Sequence, residues 1–401
     1  MAAAGARRVA AKPRSAARSA PPQGGRAGDD ERWMAAALRF GRRGMGLAAP
    51  NPSVGALIVS EGVVVGRGVT APGGRPHAER LAIDEAGQAA RGATLYVTLE
   101  PCSHHGATPP CAEAIVAAGL ARVVCPLEDP DSRVAGAGFA ILRAAGIELN
   151  VGPGADAARR DHRGHILRVV EGRPMVTLKL ARTADGFVAG DQHDARLAIT
   201  GEAANLRVQV MRSLNDAIMV GIGTAREDDP LLTVRLPGVA ARPLRVVLDS
   251  RLDLPLRSRL CETAREFATL VVATRAAAEA REAALTAKGV EVARVDPDAS
   301  GRVDLNEALR LLARRGLTRV FSEGGPRVGS RLIASGLADE VVLLTARKPL
   351  GRPGLPALDA PAYAILNDAA RYREIETAVY GADSLRRLER LSQRPASLGK
   401  A

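Results

Sequence analysis

Two stretches of the 401-residue chain carry residues whose types and spacing can do chemistry. The first is His77-Ala78-Glu79 with Pro101-Cys102 and, eight residues beyond that cysteine, Cys111. One imidazole and two thiolates make a ligand set for a tetrahedral zinc that keeps its fourth position open for water. A metal held in that way lowers the pKa of its water until hydroxide is available near neutrality. Glu79 follows the histidine too closely to be a convenient fourth ligand. Its carboxylate suits proton transfer from that water to a departing amine. Pro109 and Pro110 are expected to open a helix whose positive end favours a thiolate at Cys111. A structural zinc knot would use the same residue types. The combination of His-x-Glu, Pro-Cys and a second cysteine favours catalysis.

The second stretch is Ser322-Glu323-Gly324-Gly325-Pro326-Arg327-Val328-Gly329. It follows a strand-like run and opens a helical one. Paired glycines let a backbone approach a phosphate, and a helix N-terminus supplies free N–H donors. Gly221-Ile222-Gly223 lacks the rest of the dinucleotide fingerprint, so no Rossmann domain is expected. Arg212 and Arg235 offer bidentate donors to a phosphate, although in so Arg-rich a chain each alone reads equally well as solvated surface. Lys179 and Asp185 read either as an ion pair at a strand end or as groups orienting a sugar.

These residues need a scaffold of alternating strands and helices. Asp30 is expected to cap a helix through Met34, Leu38 and Gly41. Strands are expected at 54–59, 63–66, 94–98, 123–126 and 147–151, with helices at 77–87, 109–119 and 136–145. That alternation implies a layered α/β unit with a largely parallel sheet. Residues 152–173, beginning Gly-Pro-Gly, are charged and weakly periodic, as a connecting segment would be. A second α/β series follows, with strands at 175–181, 217–221, 244–249, 269–273, 319–322 and 340–345. Its helices are expected at 202–213, 276–288, 305–314 and 327–335. The chain thus divides into a basic extension without ordered structure (1–28), a first domain (29–151), a connection (152–173) and a second domain (174–392).

The net charge of +12 admits a nucleic-acid partner. Much of the excess, however, lies in Arg7, Arg8, Lys12, Arg14, Arg18 and Arg26, and the remaining arginines are scattered, so anionic small molecules are the better expectation. Four cysteines in a chain of this length do not make a disulfide framework. Cys125 reads as a buried small hydrophobe in a strand, and Cys261 has no evident partner. A reducing, cytoplasmic location is expected. No run approaches the roughly 18 apolar residues of a membrane span.

The string Leu99-Glu100-Pro101-Cys102-Ser103-His104-His105-Gly106, followed by Thr108-Pro109-Pro110-Cys111, resembles the deaminase half of the bifunctional deaminase–reductase family of riboflavin biosynthesis. That half belongs to the cytidine-deaminase superfamily and shares its His-x-Glu and Pro-Cys signature. Asn51-Pro52-Ser53-Val54-Gly55 is similar to the family's substrate loop. The strings at 178–186 and 228–235 resemble the reductase half. The resemblance spans about 30–391. It implies a cytidine-deaminase-like three-layer α/β/α domain followed by a dihydrofolate-reductase-like α/β domain, with zinc and NADPH as cofactors. It further implies that Asn51 and His104 hydrogen-bond the pyrimidine and that His105 is structural. NADPH contacts are implied at Ala181, Thr200, Thr224, Asp228 and Ser250, and along Gly325, Pro326, Arg327, Val328, Gly329, Ser330 and Arg331. Phosphorylated-sugar contacts are implied at Lys179, Arg196, Arg212, Leu232, Arg235 and Glu323. The chain departs from the family pattern at four places. Thr70 replaces a common histidine, Ala107 a common Lys or Arg, and Arg196 and Ala198 a common Ser and Trp. Arg75 is expected to supply the charge that Ala107 lacks. Phosphorylated pyrimidines are the expected partners, with a homodimer or homotetramer as the assembly and no nucleic acid or membrane. A nucleotide or nucleic-acid deaminase, or a member active in one domain only, are the other readings.

Overall fold

The computed structural model describes residues 23–106, 109–190 and 197–391. The expected Val/Ile/Leu runs of the first half pair into a sheet in the order β2-β1-β3-β4-β5. Its strands are Gly55–Ser60 (β1), Val63–Val69 (β2), Thr94–Val97 (β3), Arg122–Cys125 (β4) and Glu148–Val151 (β5). The sheet is mixed rather than largely parallel. β1 runs antiparallel to both β2 and β3, and only β3-β4-β5 are parallel. The cause is local: Glu61 and Gly62 both hold positive φ (50° and 82°), the geometry of a tight hairpin, so β2 folds straight back on β1.

Four helices cover this sheet: Gln23–Gly41 (α1), Ala78–Ala86 (α2), Cys111–Ala117 (α3) and Ala137–Ala144 (α4). α1 starts well before Asp30, which is therefore not its cap. Asp30 is fully buried in mid-helix, where it takes a bidentate bond from Arg122 (2.8 and 2.7 Å) and further bonds from Tyr96 Oη (3.0 Å) and Asn150 Nδ2 (2.7 Å). A carboxylate is tolerated inside this core because four donors replace its water. Burial pushes its pKa up, but those donors outweigh burial and hold it below the ordinary value.

The connection folds into two helices, Ala155–Asp161 (α5) and Arg163–Glu171 (α6), which bond to both halves. His162, between them, is buried with Nε2 3.1 Å from Thr98 Oγ1. Since Thr98 Oγ1 already accepts from Gly55 N–H, its hydroxyl donates to Nε2 and the ring is neutral. His165 Nε2 lies 3.1 Å from Asp129 Oδ1, Arg168 donates to the Pro50 carbonyl (2.9 Å), and Arg163 donates to Glu389 of the second half (2.8 Å). Burial pushes the His162 pKa down to about 3 from 6.5. The unfolded chain therefore takes up this proton first. Stability from this group is intact above pH 6.5 and falls as the pH drops toward 3, by about 2 kcal/mol at pH 5. The expected result is a melting temperature that falls between pH 7 and pH 5, with His162→Gln giving the flatter profile. Parallel profiles for the two proteins would refute this.

The second half forms a nine-stranded sheet in the order β11-β10-β9-β8-β12-β6-β13-β16-β15. In chain order its elements are Met175–Arg182 (β6), Phe187–Ala189 (β7), Glu202–Ser213 (α7), Ala217–Gly221 (β8), Ile222–Asp228 (α8), Leu244–Leu248 (β9), Arg259–Glu262 (α9), Thr269–Thr274 (β10), Glu279–Ala287 (α10) and Glu291–Val295 (β11). Then come Leu305–Arg314 (α11), Arg319–Ser322 (β12), Pro326–Ala334 (α12), Glu340–Thr345 (β13), Leu355–Pro356 (β14), Ala360–Leu366 (α13), Tyr372–Tyr380 (β15) and Asp383–Arg390 (β16). All pairings from β11 to β13 are parallel, and β13-β16-β15 are antiparallel. β7 and β14 form a small separate ladder. β8 and β10 are buried throughout, as strands covered on both faces must be. Among the described residues no helix is long and apolar enough to cross a membrane.

Candidate active sites

β2 carries Gly66 and Gly68 where α2 crosses it. A Cβ on Gly68 would lie 1.9 Å from the Ala78 carbonyl oxygen, and one on Gly66 would lie 2.2 Å from that of Ala82. This close approach sets α2 on the sheet with His77 as its N-terminal flanking residue and Glu79 in its first turn. Gly68→Ala is expected to push α2 outward at a cost of about 1–3 kcal/mol. Zinc affinity should fall with it, read by competition with a chromophoric chelator beside urea unfolding; unchanged affinity would refute this.

Beyond β3 the chain reaches Cys102, and α3 begins at Cys111 after Pro110, as the proline pair led one to expect. His77 Nδ1 is 3.3 Å from Cys111 Sγ and 3.6 Å from Cys102 Sγ, and the Cys111 backbone N–H points at Cys102 Sγ (3.3 Å). These three ligand atoms lie within 4.8 Å of one another. All four cysteines are free thiols, and Cys125 is buried in β4. The Cys111 thiol beside it pulls the Cys102 pKa down to about 4, while the same contact pushes Cys111 up. The Cys102 contact likewise raises His77. Two sulfurs sharing one proton beside an imidazole is what a dication replaces when both thiols ionise. The donor set fits zinc.

Glu79 is buried. Burial above all, and then the Cys102 charge, push its carboxyl up to about 7. A carboxyl poised there can both hold and release a proton near neutrality. Asn51 Nδ2 donates to the Gly74 carbonyl (2.8 Å) and lies 3.3 Å from His77 Nε2, so the substrate loop does reach the metal ligands. His104 and Arg75 are exposed at the same mouth, where the Arg75 guanidinium comes within 3.3 Å of a Cβ placed on Gly106. His105 is 3.5 Å from Glu113 on the surface of α3. Thr70 is buried and accepts from Val54 N–H (2.9 Å), which ties it to the fold instead of the cleft. Ala107 lies outside the described residues.

Glu100, present in the motif but given no role from the sequence, takes backbone N–H bonds from Asp129 (3.1 Å), Gly136 (3.0 Å) and Phe139 (3.2 Å). It thus ties the Pro101-Cys102 turn to the start of α4. An acid between buried Leu99 and Pro101 was the available signal.

In the second half Arg212, at the end of α7, grips Glu323 with two bonds (2.5 and 3.1 Å) and donates to the Thr233 carbonyl (3.0 Å). Glu323 directly follows β12. Burial pushes its pKa up, but Arg212, Lys179 and Arg235 outweigh burial and hold it low. Three cations around one carboxylate leave a net positive site. Leu232 is buried at a positive φ of 50° beside it. Asp185 is occupied elsewhere, accepting from Thr183 Oγ1 (2.6 Å) and the Leu350 N–H (2.8 Å).

The Gly324-Gly325 turn opens α12 as expected, and Gly325 N–H donates to Thr224 Oγ1 (3.1 Å). Pro326, Arg327 and Val328 form the first turn of the helix. Further on, Gly329 packs its bare face toward Leu178, Leu180 and Leu358. Ser330 accepts from Asp359 N–H (3.0 Å), and Arg331 pairs with Asp298 (2.6 Å). Ser250 Oγ accepts from Val303 N–H (3.0 Å) and Thr200 Oγ1 donates to Asn205 (3.0 Å). Ala181 is on β6, Asp228 ends α8, and Ala198 is exposed. Arg196 lies outside the described residues.

Comparison with known proteins adds to this geometry. Residues 174–374 match the family model of the RibD C-terminal domain, and residues 27–127 that of the cytidine and deoxycytidylate deaminase zinc-binding region. The riboflavin biosynthesis protein RibD of Bacillus amyloliquefaciens is 39% identical over 330 residues, which is 82% of this chain and 87% of that protein. The Escherichia coli protein of the same name is 35% identical over 88% of this chain and 97% of its own. The solved structure of Acinetobacter baumannii RibD (form 2) superimposes with a TM-score of 0.80 at 34% identity, covering 91% of this chain and all of that one. A Thermotoga maritima deaminase/reductase structure gives 0.78 at 31% identity. The chain belongs to the RibD family: it is a bifunctional riboflavin-biosynthesis enzyme with a zinc-dependent deaminase domain and a reductase domain.

Proposed function

We propose that the protein deaminates 2,5-diamino-6-(5-phosphoribosylamino)pyrimidin-4-one and then reduces 5-amino-6-(5-phosphoribosylamino)uracil with NADPH to the ribitylamino product. The observation that carries the first step is the convergence of His77, Cys102 and Cys111 beside a buried, proton-holding Glu79. Zinc, when bound by those three, supplies a water of lowered pKa. Glu79 moves the proton to the departing amine. Asn51 and His104 orient the pyrimidine, and Arg75 faces its phosphate. For the second step NADPH supplies the hydride. Lys179, Arg212, Arg235, Leu232 and Glu323, with Arg196, position the phosphorylated sugar. The amides of Gly325 to Val328 and Thr224 receive cofactor phosphate at the α12 N-terminus. Ala181, Thr200, Asp228, Ser250, Gly329, Ser330 and Arg331 complete the cofactor set implied by the family. Units at 29–151 and 174–392 are the proposed deaminase and reductase, acting in the cytoplasm as a homodimer or homotetramer.

The test is a coupled assay on the full chain. One ammonia released per diaminopyrimidine, followed by one NADPH oxidised, is expected. Ammonia without NADPH oxidation would mark a member active in one domain only, and the converse would remove the deaminase. A kcat/KM for NADH equal to that for NADPH would overturn the cofactor assignment. Tight, steeply salt-dependent RNA binding would favour a nucleic-acid substrate.

A further inference from the structure

Asn51 belongs to the deaminase cleft, yet the other half of the chain presses on the loop that carries it. That loop is internally braced. Asn51 N–H donates to the Ala48 carbonyl (3.0 Å), and Gly73 N–H donates to the Leu47 carbonyl (2.9 Å). Three groups bear on it from the connection and the reductase. Gly46, at a φ of +73°, faces the end of α7 so closely that a Cβ would lie 2.3 Å from the Ser213 carbonyl oxygen. Gly316, between α11 and β12, would place a Cβ 2.6 Å from Pro50 Cβ. Arg168 Nη2 donates to the Pro50 carbonyl (2.9 Å), one residue before Asn51.

Close-packed backbone does not compress, so a shift at any of these contacts passes into the loop. We propose that the reductase half is a positioning element of the deaminase, and that Gly46, Gly316 and Arg168 set where Asn51 meets the pyrimidine. The proposal rests on the reading of Asn51 as a substrate contact. It assigns these residues no contact with substrate. Their effect is on affinity, and misplacement of a binding group by about 1 Å costs up to about a hundredfold. Ser213 directly follows Arg212, so one helix end touches the deaminase loop and holds the reductase ion pair.

The experiment uses the full-length zinc enzyme, with ammonia release giving deaminase KM and kcat. Gly46→Ala and Arg168→Ala are each expected to raise KM about tenfold, with kcat and zinc content within about twofold. Arg168→Lys, which can still donate to a carbonyl, should restore most of the loss. Gly62→Ala controls for strain at positive φ, since Gly62 (φ +82°) has nothing within 4 Å, and its KM should stay at the wild-type value. Should Gly46→Ala fail to fold, the Arg168 pair decides alone. Asn51→Ala separates the two readings. If it raises KM while Gly46→Ala and Arg168→Ala leave KM in place, the positioning proposal is overturned. If it leaves KM in place, the Asn51 reading falls and the proposal with it.

Discussion

Glu79→Gln is expected to lower deaminase turnover by about a thousandfold while zinc content and the rate of NADPH oxidation stay near wild type. Proton transfer by a positioned side chain contributes roughly 10²–10⁴-fold. Glu79 is well placed to supply most of that, because it is buried in the first turn of α2, two residues from a metal ligand. Glutamine keeps the volume and a hydrogen-bonding oxygen but cannot exchange a proton. The geometry of His77, Cys102 and Cys111 does not depend on the Glu79 charge, so metal analysis should still find one zinc per chain. A turnover loss below tenfold would remove Glu79 from the proton path, and loss of the metal would recast it as structural.

The second large effect belongs to the pair inside the reductase. Arg212→Met would leave Glu323 with only 12% of its side chain exposed and without its bidentate partner. Removing one member of a buried ion pair costs about 3–5 kcal/mol, because the survivor keeps its desolvation penalty. Urea unfolding should show that loss, and adding Glu323→Gln should recover a large part of it. The sugar substrate should bind more weakly by about 2 kcal/mol, roughly thirtyfold in KM. A single variant within 1 kcal/mol of wild type would mean that solvent reaches the pair. Independent, additive effects of the two substitutions would mean that it is not a coupled unit.

What could be read from the sequence follows from how each element earns its burial. β8, β12, β13, α7 and α11 lie where their apolar runs placed them, because each is buried in a way that leaves a pattern. β15 and β16 were not foreseen. Tyr372–Tyr380 shows mostly exposed side chains, and Asp383–Arg390 is built largely from charged residues paired across strands, as in Arg387 with Glu340 and Arg386 with Glu374. Alternation disappears when both faces of a strand are charged. Asp30 misled for a related reason. An acid before an apolar helix reads as a cap, and nothing local reveals Arg122 or Asn150 arriving from strands far along the chain. Arg245 is the extreme case, a fully buried cation bonded to carbonyls and hydroxyls of Leu231, Leu260, Phe267, Thr263 and Thr269. The zinc ligands were legible because metal chemistry restricts residue type and spacing. The support from Glu100, His162 and the seam around Gly46 was not, since those contacts are long-range.

The helix pair α5 and α6 bears on how such an enzyme could ever be divided. By sequence the pair lies between the halves; by contact it belongs to both. A first half ended at Val151 would strip Thr98 and Asp129 of their histidine partners, and a second half begun at Met175 would lose Arg163 from Glu389 and Arg173 from Asp339. Two free-standing proteins could inherit these activities intact only if each genome copy encoded its own version of those helices. Joined as it is, the chain needs one.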